Sequence, residues 1–233
     1  MYQKIKQIYR KFFLKQKTEF LLLQQDILAS QYLQPLSNSY LPWSQSAIHP
    51  SGLVAILNEI TMNNRSTIVE CGGGISTFYI GRLLKNRGGH LYTIESDKEW
   101  CNILIKQIEK EKFSDYVSVI HAPLADTILG ISNQNQWYET NQIKEKLFNK
   151  KIELLIIDGP PAYRKEIQYS RYPAVPFFKD YLAKDYAIIL DDINRDGEQL
   201  IVSKWEKILG IKFELRFQHG NIAIGRSRPS LTI

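Results

Sequence analysis

Apolar and polar positions change period several times along the chain, and each change marks an element. In residues 1–33, Ile5, Ile8, Tyr9, Phe12 and Phe13, then Phe20 to Leu23, Ile27 and Leu28, recur at helical spacing and predict one or two amphipathic helices. Residues 34–50 hold Pro35, Pro42 and Pro50 with several serines and no period, which reads as a linker able to fold over a site. A helix is expected from residue 51 to about 60. The stretch Thr67-Ile-Val-Glu-Cys-Gly-Gly-Gly-Ile-Ser-Thr-Phe-Tyr-Ile80 then runs from an apolar segment into an acid, three glycines and an amphipathic helix: a strand, a tight turn and a helix start. A second glycine turn opens a strand that ends at Glu95. Ser96-Asp-Lys-Glu99 has the spacing of a capping box, and Trp100, Ile103, Leu104 and Ile108 follow at helical spacing.

The alternation continues with a third strand from Val117 to His121, a polar insert rich in Asn and Gln from about Ser132, and a helix ending near Lys150. Ile152-Glu-Leu-Leu-Ile-Ile157 is apolar on both faces, as in a central parallel strand, and stops at Asp158-Gly-Pro-Pro161. A helix over residues 173–184, a fifth strand over 186–190 ending in Asp191-Asp192, and a last helix marked by Ile201, Trp205, Ile208 and Leu209 come next. Two alternating segments around Gln218-His-Gly220 close the chain as a hairpin. Together these elements predict an open α/β sheet, doubly wound and mostly parallel, with a C-terminal antiparallel hairpin and an N-terminal helical arm. Residues 1–50 read as arm and lid, and 51–233 as the main domain. In such a sheet ligands bind beyond the carboxyl ends of the strands, here Glu70, Glu95, His121, Asp158 and Asp191.

Charge adds a location rather than a class. The net charge is +6, and Lys4, Lys6, Arg10, Lys11, Lys15 and Lys17 all precede the first acid, Glu19. The basic excess therefore sits on the arm, which suits a membrane surface or self-association through residues 1–33 and argues against nucleic acid at the strand-end site. The two cysteines, Cys71 and Cys101, have no metal or disulfide spacing, and no apolar run approaches the roughly 20 residues that span a bilayer. A soluble, unprocessed, cytoplasmic protein is expected.

The glycine turn selects among ligands by charge. A dinucleotide fingerprint would place a third glycine where Thr77 stands, and Glu70, two residues before Gly72, would repel a pyrophosphate. A cation suits the position better. Glu95, 21 residues after Gly74, stands where an acid accepts ribose hydroxyls. S-adenosylmethionine, with an ammonium, a sulfonium and a ribose, satisfies both acids. A nucleotide-dependent oxidoreductase is the enzymatic alternative, and a non-catalytic scaffold acting through the basic arm is the alternative of another kind.

With these residues in place, the chain over about residues 50–226 resembles the class I S-adenosylmethionine-dependent methyltransferases, with their Rossmann-like seven-stranded sheet. The resemblance implies that Glu70 and Gly72, Gly73 and Gly74 hold the methionine end, that Ser76 and Thr77 start the first helix, and that Glu95 binds the ribose. Ser96 touches the same sugar or caps its helix, and the cap is favoured. His121 and Ala122 fall where the family contacts adenine.

Asp158, Asp191 and Asp192 end neighbouring strands, and carboxylates converging there need protonation, basic partners or a metal. The arrangement is similar to the metal-dependent O-methyltransferases of the superfamily, which implies Mg²⁺ or another divalent cation on these three acids. Pairing with Arg164, Arg171 or Arg195 is the metal-free alternative. Asp158, Asp191 and Arg195 are the candidate catalytic residues, and Asp158 could orient the nucleophile or act as base. His49 and His121 are further candidates for a base. Tyr163, Arg164, Arg171 and Tyr172 lie where the family builds its acceptor pocket. The expected function is methylation of a small-molecule acceptor, most simply at a hydroxyl oxygen.

Overall fold

One 32-residue helix, α1 (Tyr2–Leu33), takes up the N-terminal segment. The computed structural model describes residues 2–37, 39–41 and 43–231; the side chains of residues 2–5, 7–12 and 15 lie outside the described set, and with them the arm positions Lys4, Ile5, Ile8, Tyr9, Arg10, Lys11, Phe12 and Lys15. Toward its C-terminal end α1 packs along α2 (Pro50–Met62), where Leu33, Leu41 and Ile48 enter the same core as Leu53, Ile56 and Ile60. The segment after α1 is fastened to the domain by Arg82, whose Nη1 donates to the Leu36 carbonyl at 2.7 Å and whose Nη2 donates to Ser39 at 3.0 Å. Phe13, Phe20, Leu23 and Ile27 of α1 are exposed. Among the described residues no helix is long and apolar enough to cross a membrane.

Five parallel strands, β1 (Thr67–Cys71), β2 (His90–Glu95), β3 (Val117–His121), β6 (Ile152–Ile157) and β7 (Leu182–Leu190), form most of the main sheet. The antiparallel strands β8 (Phe213–Arg216) and β9 (Ile222–Arg226) complete it, in the order β3-β2-β1-β6-β7-β9-β8. Helices α3 (Ile75–Arg87), α4 (Lys98–Glu111), α5 (Asn141–Lys146), α6 (Ala174–Phe178) and α7 (Asp196–Leu209) make the connections. The alternation in β6 explains its central place: Leu155 and Ile157 enter one core, Leu154 and Ile156 the other. Each such side chain, fully removed from water, contributes roughly 1.5–3 kcal/mol. The chain runs from β1 outward to β3 and returns to β6 on the other side of β1, so the crevice at the carboxyl ends of β1 and β6 is the topological switch point.

Three local expectations are corrected. The polar insert from about Ser132, to which no element was assigned, is the turn and second strand of a two-stranded antiparallel hairpin, β4 (Leu124–Ile131) and β5 (Gln134–Tyr138). Its turn residues Ser132 and Asn133 take φ of 54° and 62°, the left-handed pair that suits a tight hairpin. The helix expected over 173–184 ends at Phe178, and after a short 3₁₀ turn the chain is already in β7 at Leu182. Only Leu182 in that first stretch is buried while Lys184 and Asp185 are exposed, so the strand start lacks an alternating apolar face. The third correction concerns α4, whose N-cap is Asp97 and not Ser96: Asp97 Oδ1 accepts the Trp100 amide at 2.8 Å.

Candidate active site

The glycine turn between β1 and α3 is set by close approach. Gly72 has φ +91°, and a Cβ there would lie 2.9 Å from the Gly159 nitrogen, so the β1 and β6 loops meet only because this residue is glycine. A Cβ on Gly73 would strike Leu104 and Thr93. Gly74 differs, because nothing within 4 Å would meet its Cβ. Glu70 is buried beneath this turn. Its Oε1 accepts Ser76 Oγ at 2.5 Å, and its Oε2 accepts Thr77 Oγ1 at 2.6 Å and Thr93 Oγ1 at 2.9 Å. Thr77 Oγ1 in turn accepts the Gly74 amide at 3.0 Å. Burial lifts the Glu70 carboxyl to about 7, against the pull of the three hydroxyls. Glu70 therefore holds the first turn of α3 and does not line the crevice.

Glu95 does line it. Its Oε1 accepts the Ser96 and Asp97 amides at 2.6 and 2.9 Å and Ser96 Oγ at 3.2 Å, while Oε2 has one longer bond, from the Gly73 amide at 3.2 Å. His121 pairs across from Glu95 in β3, and the Ala122 amide donates to the Glu95 carbonyl at 2.8 Å; neither residue reaches the crevice wall. Asp97 and Trp100 do, and Trp100 Nε1 donates to the Gly73 carbonyl at 2.7 Å. In sequence Trp100 showed only helical spacing. An aromatic residue in the first turn after an acidic strand end was the available signal.

The acids after β6 and β7 converge as expected. The Asp158 amide bonds to the Cys71 carbonyl and the Asp191 amide to the Ile157 carbonyl, which carries the sheet register up to the site. Asp158, Asp191 and Asp192 each bring a carboxylate oxygen within 4.8 Å of the others. Asp192 sits at φ +64°, a conformation uncommon away from glycine. Arg171 is buried among the acids, with Nη2 at 3.2 Å from Asp158 Oδ1 and 3.1 Å from Asp192 Oδ2. It also donates to the Asp158 and Asp191 carbonyls at 2.9 and 3.2 Å. Arg195 Nη1 pairs with Asp192 at 2.8 Å and with the buried Glu198 at 3.5 Å. Arg164 instead lies over the Tyr163 ring.

Four carboxylates thus face two guanidiniums. Burial, and then the neighbouring Asp192, lift Asp191 to about 7; burial, opposed by Arg171 and Arg195, leaves Glu198 at about 7. Burial and Asp191 push Asp158 well above the carboxylate range in spite of Arg171. Asp191 Oδ1 and both oxygens of Glu198 are buried without a hydrogen bond, the ion pairs of Glu198 being too long to count as one.

A single crevice of about 720 Å³ joins these parts. Gly72 to Gly74, Glu95, Asp97 and Trp100 wall one end, while Asp158, Tyr163, Arg171, Asp192 and Arg195 wall the other. Tyr138 of the unexpected hairpin and His49 of the linker also face it. The sequence profile of a methyltransferase-domain family matches residues 69–193, just over half of the chain. The chain belongs to this methyltransferase family. Its reading as a class I, S-adenosylmethionine-dependent enzyme is borne out, and the oxidoreductase alternative falls. No curated protein matches the methyltransferase. Solved structures do, at low identity. A Staphylococcus aureus protein provisionally named a caffeoyl-CoA O-methyltransferase is 16% identical, with a TM-score of 0.59 over 88% of this chain and 99% of its own. A methyltransferase from Podospora anserina bound to S-adenosylhomocysteine is 13% identical, with a TM-score of 0.58 over 90% and 88%. TomG from Streptomyces achromogenes, an O-methyltransferase of tomaymycin synthesis in complex with S-adenosylmethionine, is 13% identical at 0.51 over 87% and 88%. At these identities the likeness is one of fold.

Proposed function

We propose that this methyltransferase moves the methyl group of S-adenosylmethionine to a hydroxyl oxygen of a small-molecule acceptor. The observation that carries the reading is the continuity of the crevice from the glycine turn and Glu95 to the acid–arginine cluster. The cofactor end fits its ligand. Gly74 leaves open space where any other residue would put a side chain, and Glu95 Oε2 keeps lone pairs toward the crevice for a ribose diol. The cofactor supplies an activated methyl on a sulfonium. Gly72 to Gly74 offer backbone to its amino-acid end, Ser76 and Thr77 fix the helix start, and Glu70 acts through them. Asp97 and Trp100 close the side that His121 and Ala122 were expected to fill. The excess of carboxylate at the other end favours a cationic ligand group over a phosphate.

Asp158, Asp191 and Arg195 remain the proposed catalytic set, with Asp158 and Arg195 facing the acceptor and Asp191 behind them. Methyl transfer depends mainly on alignment and exclusion of water, and residues 44–49 of the linker line the crevice. One observation favours a metal-assisted form: Asp191 Oδ1 has no partner and lies with Asp158 and Asp192 in an oxygen set suited to a hard divalent cation. An ion held there would draw in the acceptor oxygen and lower its pKa. That form predicts loss of turnover in excess chelator and its return with Mg²⁺; full activity in chelator would leave the acids to Arg171 and Arg195, with which they already pair.

The reading is tested by incubating the protein with methyl-tritiated S-adenosylmethionine and a panel of phenols, sugars, carboxylic acids and amines. Label in hydroxyl compounds supports it, and label confined to amines defeats it. We place the protein in the cytoplasm, which its two buried, unpaired thiols, Cys71 and Cys101, support. The exposed apolar residues of α1 support contact of residues 1–33 with a membrane surface or a second copy, read by liposome binding and sedimentation.

A further inference from the structure

The N-terminal arm reaches the crevice through one side chain. His49 lines the crevice, and its Nδ1 lies 2.8 Å from Asp26 Oδ2 of α1, 23 residues earlier in the chain. Asp26 cannot swing away. Its other oxygen accepts the Ser51 amide at 3.0 Å and Ser51 Oγ at 2.5 Å, which ties α1 to the first turn of α2. A carboxylate on Nδ1 places the ring proton there and leaves the Nε2 lone pair outward. Nε2 has no partner among the described residues. Asp158, Asp192 and Arg195 line the same crevice.

We propose that His49 is the base that takes the proton of the acceptor hydroxyl, and that Asp26 is the residue that positions it. The inference rests on the hydroxyl-methylation reading above. In the step, the acceptor oxygen forms a bond to the methyl carbon, the carbon–sulfur bond breaks with its electron pair passing to sulfur, and the hydroxyl proton moves to His49 Nε2. The products are the methyl ether, S-adenosylhomocysteine and a histidinium that returns its proton to solvent. Asp158 is worse placed for the task, since Arg171 already occupies its Oδ1. The groups whose charge acts on His49 are Asp26 from α1 and Asp191 and Asp192 from the loop after β7, and Arg195 lines the same crevice. The Asp26 hydrogen bond, working against burial, raises the His49 pKa above the ordinary 6.5. The rate therefore falls with acidity through a limb above that value, because only the neutral ring accepts a proton. The arrangement also gives the 1–50 arm a task, as the part that completes the site of the 51–233 domain.

The test uses the full chain and whichever hydroxyl compound the wild type labels from S-adenosylmethionine. His49→Ala and His49→Gln should lower kcat about 100-fold while stabilisation by S-adenosylhomocysteine persists, and added imidazole should restore part of the His49→Ala rate. Asp26→Asn should lower kcat about tenfold and move the acidic limb to lower pH. Should either His49 variant fail to fold, ¹⁵N-histidine spectra of the wild type still decide, since a proton on Nε2 at pH 9 overturns the inference. So do variants within threefold of wild type with an unmoved limb. A wild type that labels no hydroxyl compound defeats the parent reading, and the base falls with it.

Discussion

The two ends of the crevice treat their carboxylates in opposite ways. Under the glycine turn, Glu70 receives three hydroxyl donors and Glu95 receives three amides and a hydroxyl, so each acid is satisfied by its own neighbourhood. After β6 and β7, four acids share two arginines, and three carboxylate oxygens are buried without a hydrogen bond. The first end is finished before any ligand arrives. The second keeps charge in reserve, as expected where a cationic group is received and charge changes during reaction. Fully bonded acids shape a binding site; partly bonded ones respond to what enters it.

The contrast is broken most directly at Arg171. Arg171→Met should cost about 3–5 kcal/mol, because the half-buried Asp158 would lose its ion pair and Asp192 would keep only Arg195. Urea unfolding measures it, and an unchanged midpoint would mean that the acids are neutral as they stand. At the other end Glu70→Ala should cost about 3 kcal/mol by stranding the Ser76, Thr77 and Thr93 hydroxyls. The pH dependence sharpens the same point. Glu70 binds its proton more tightly folded than unfolded, so its contribution to stability is complete below the usual carboxylate range and declines as pH rises toward about 7. Glu70→Gln should flatten that part of the stability curve, a difference visible in thermal melts at pH 4.5 and 7.5. The smallest effect is expected at the cofactor contact. Glu95→Gln should weaken S-adenosylhomocysteine binding about tenfold by calorimetry, with little change in melting temperature of the free protein.

What could be read ahead of the structure follows the range of each signal. β1, the glycine turn and β2 are local patterns, with Glu70, Gly72 and Glu95 at fixed spacing, and they stood where expected. Convergence of Asp158 with Asp191 was legible because strand ends in a parallel sheet share an edge. The side chains that satisfy or surround these acids were less legible. Nothing in the string joins Asp26 to His49, and Tyr138 reaches the crevice only through a hairpin whose second strand reads as polar insert. Glu70 was expected to face the ligand; its three hydroxyl partners come from α3 and β2, and only folding shows that they close over it. The helix overrun at 173–184 has the same origin, since β7 begins in polar residues ahead of its buried run.

The central claim is that the satisfied end holds S-adenosylmethionine while the acidic end presents a hydroxyl to its methyl group. Mass spectrometry of a small-molecule extract treated with protein and deuteromethyl S-adenosylmethionine tests both halves together. The expected result is a deuteromethyl ether formed in step with S-adenosylhomocysteine, at a rate that His49→Ala lowers about 100-fold. Consumption of the cofactor with label only on nitrogen, or no consumption despite tight binding of S-adenosylhomocysteine, would contradict it.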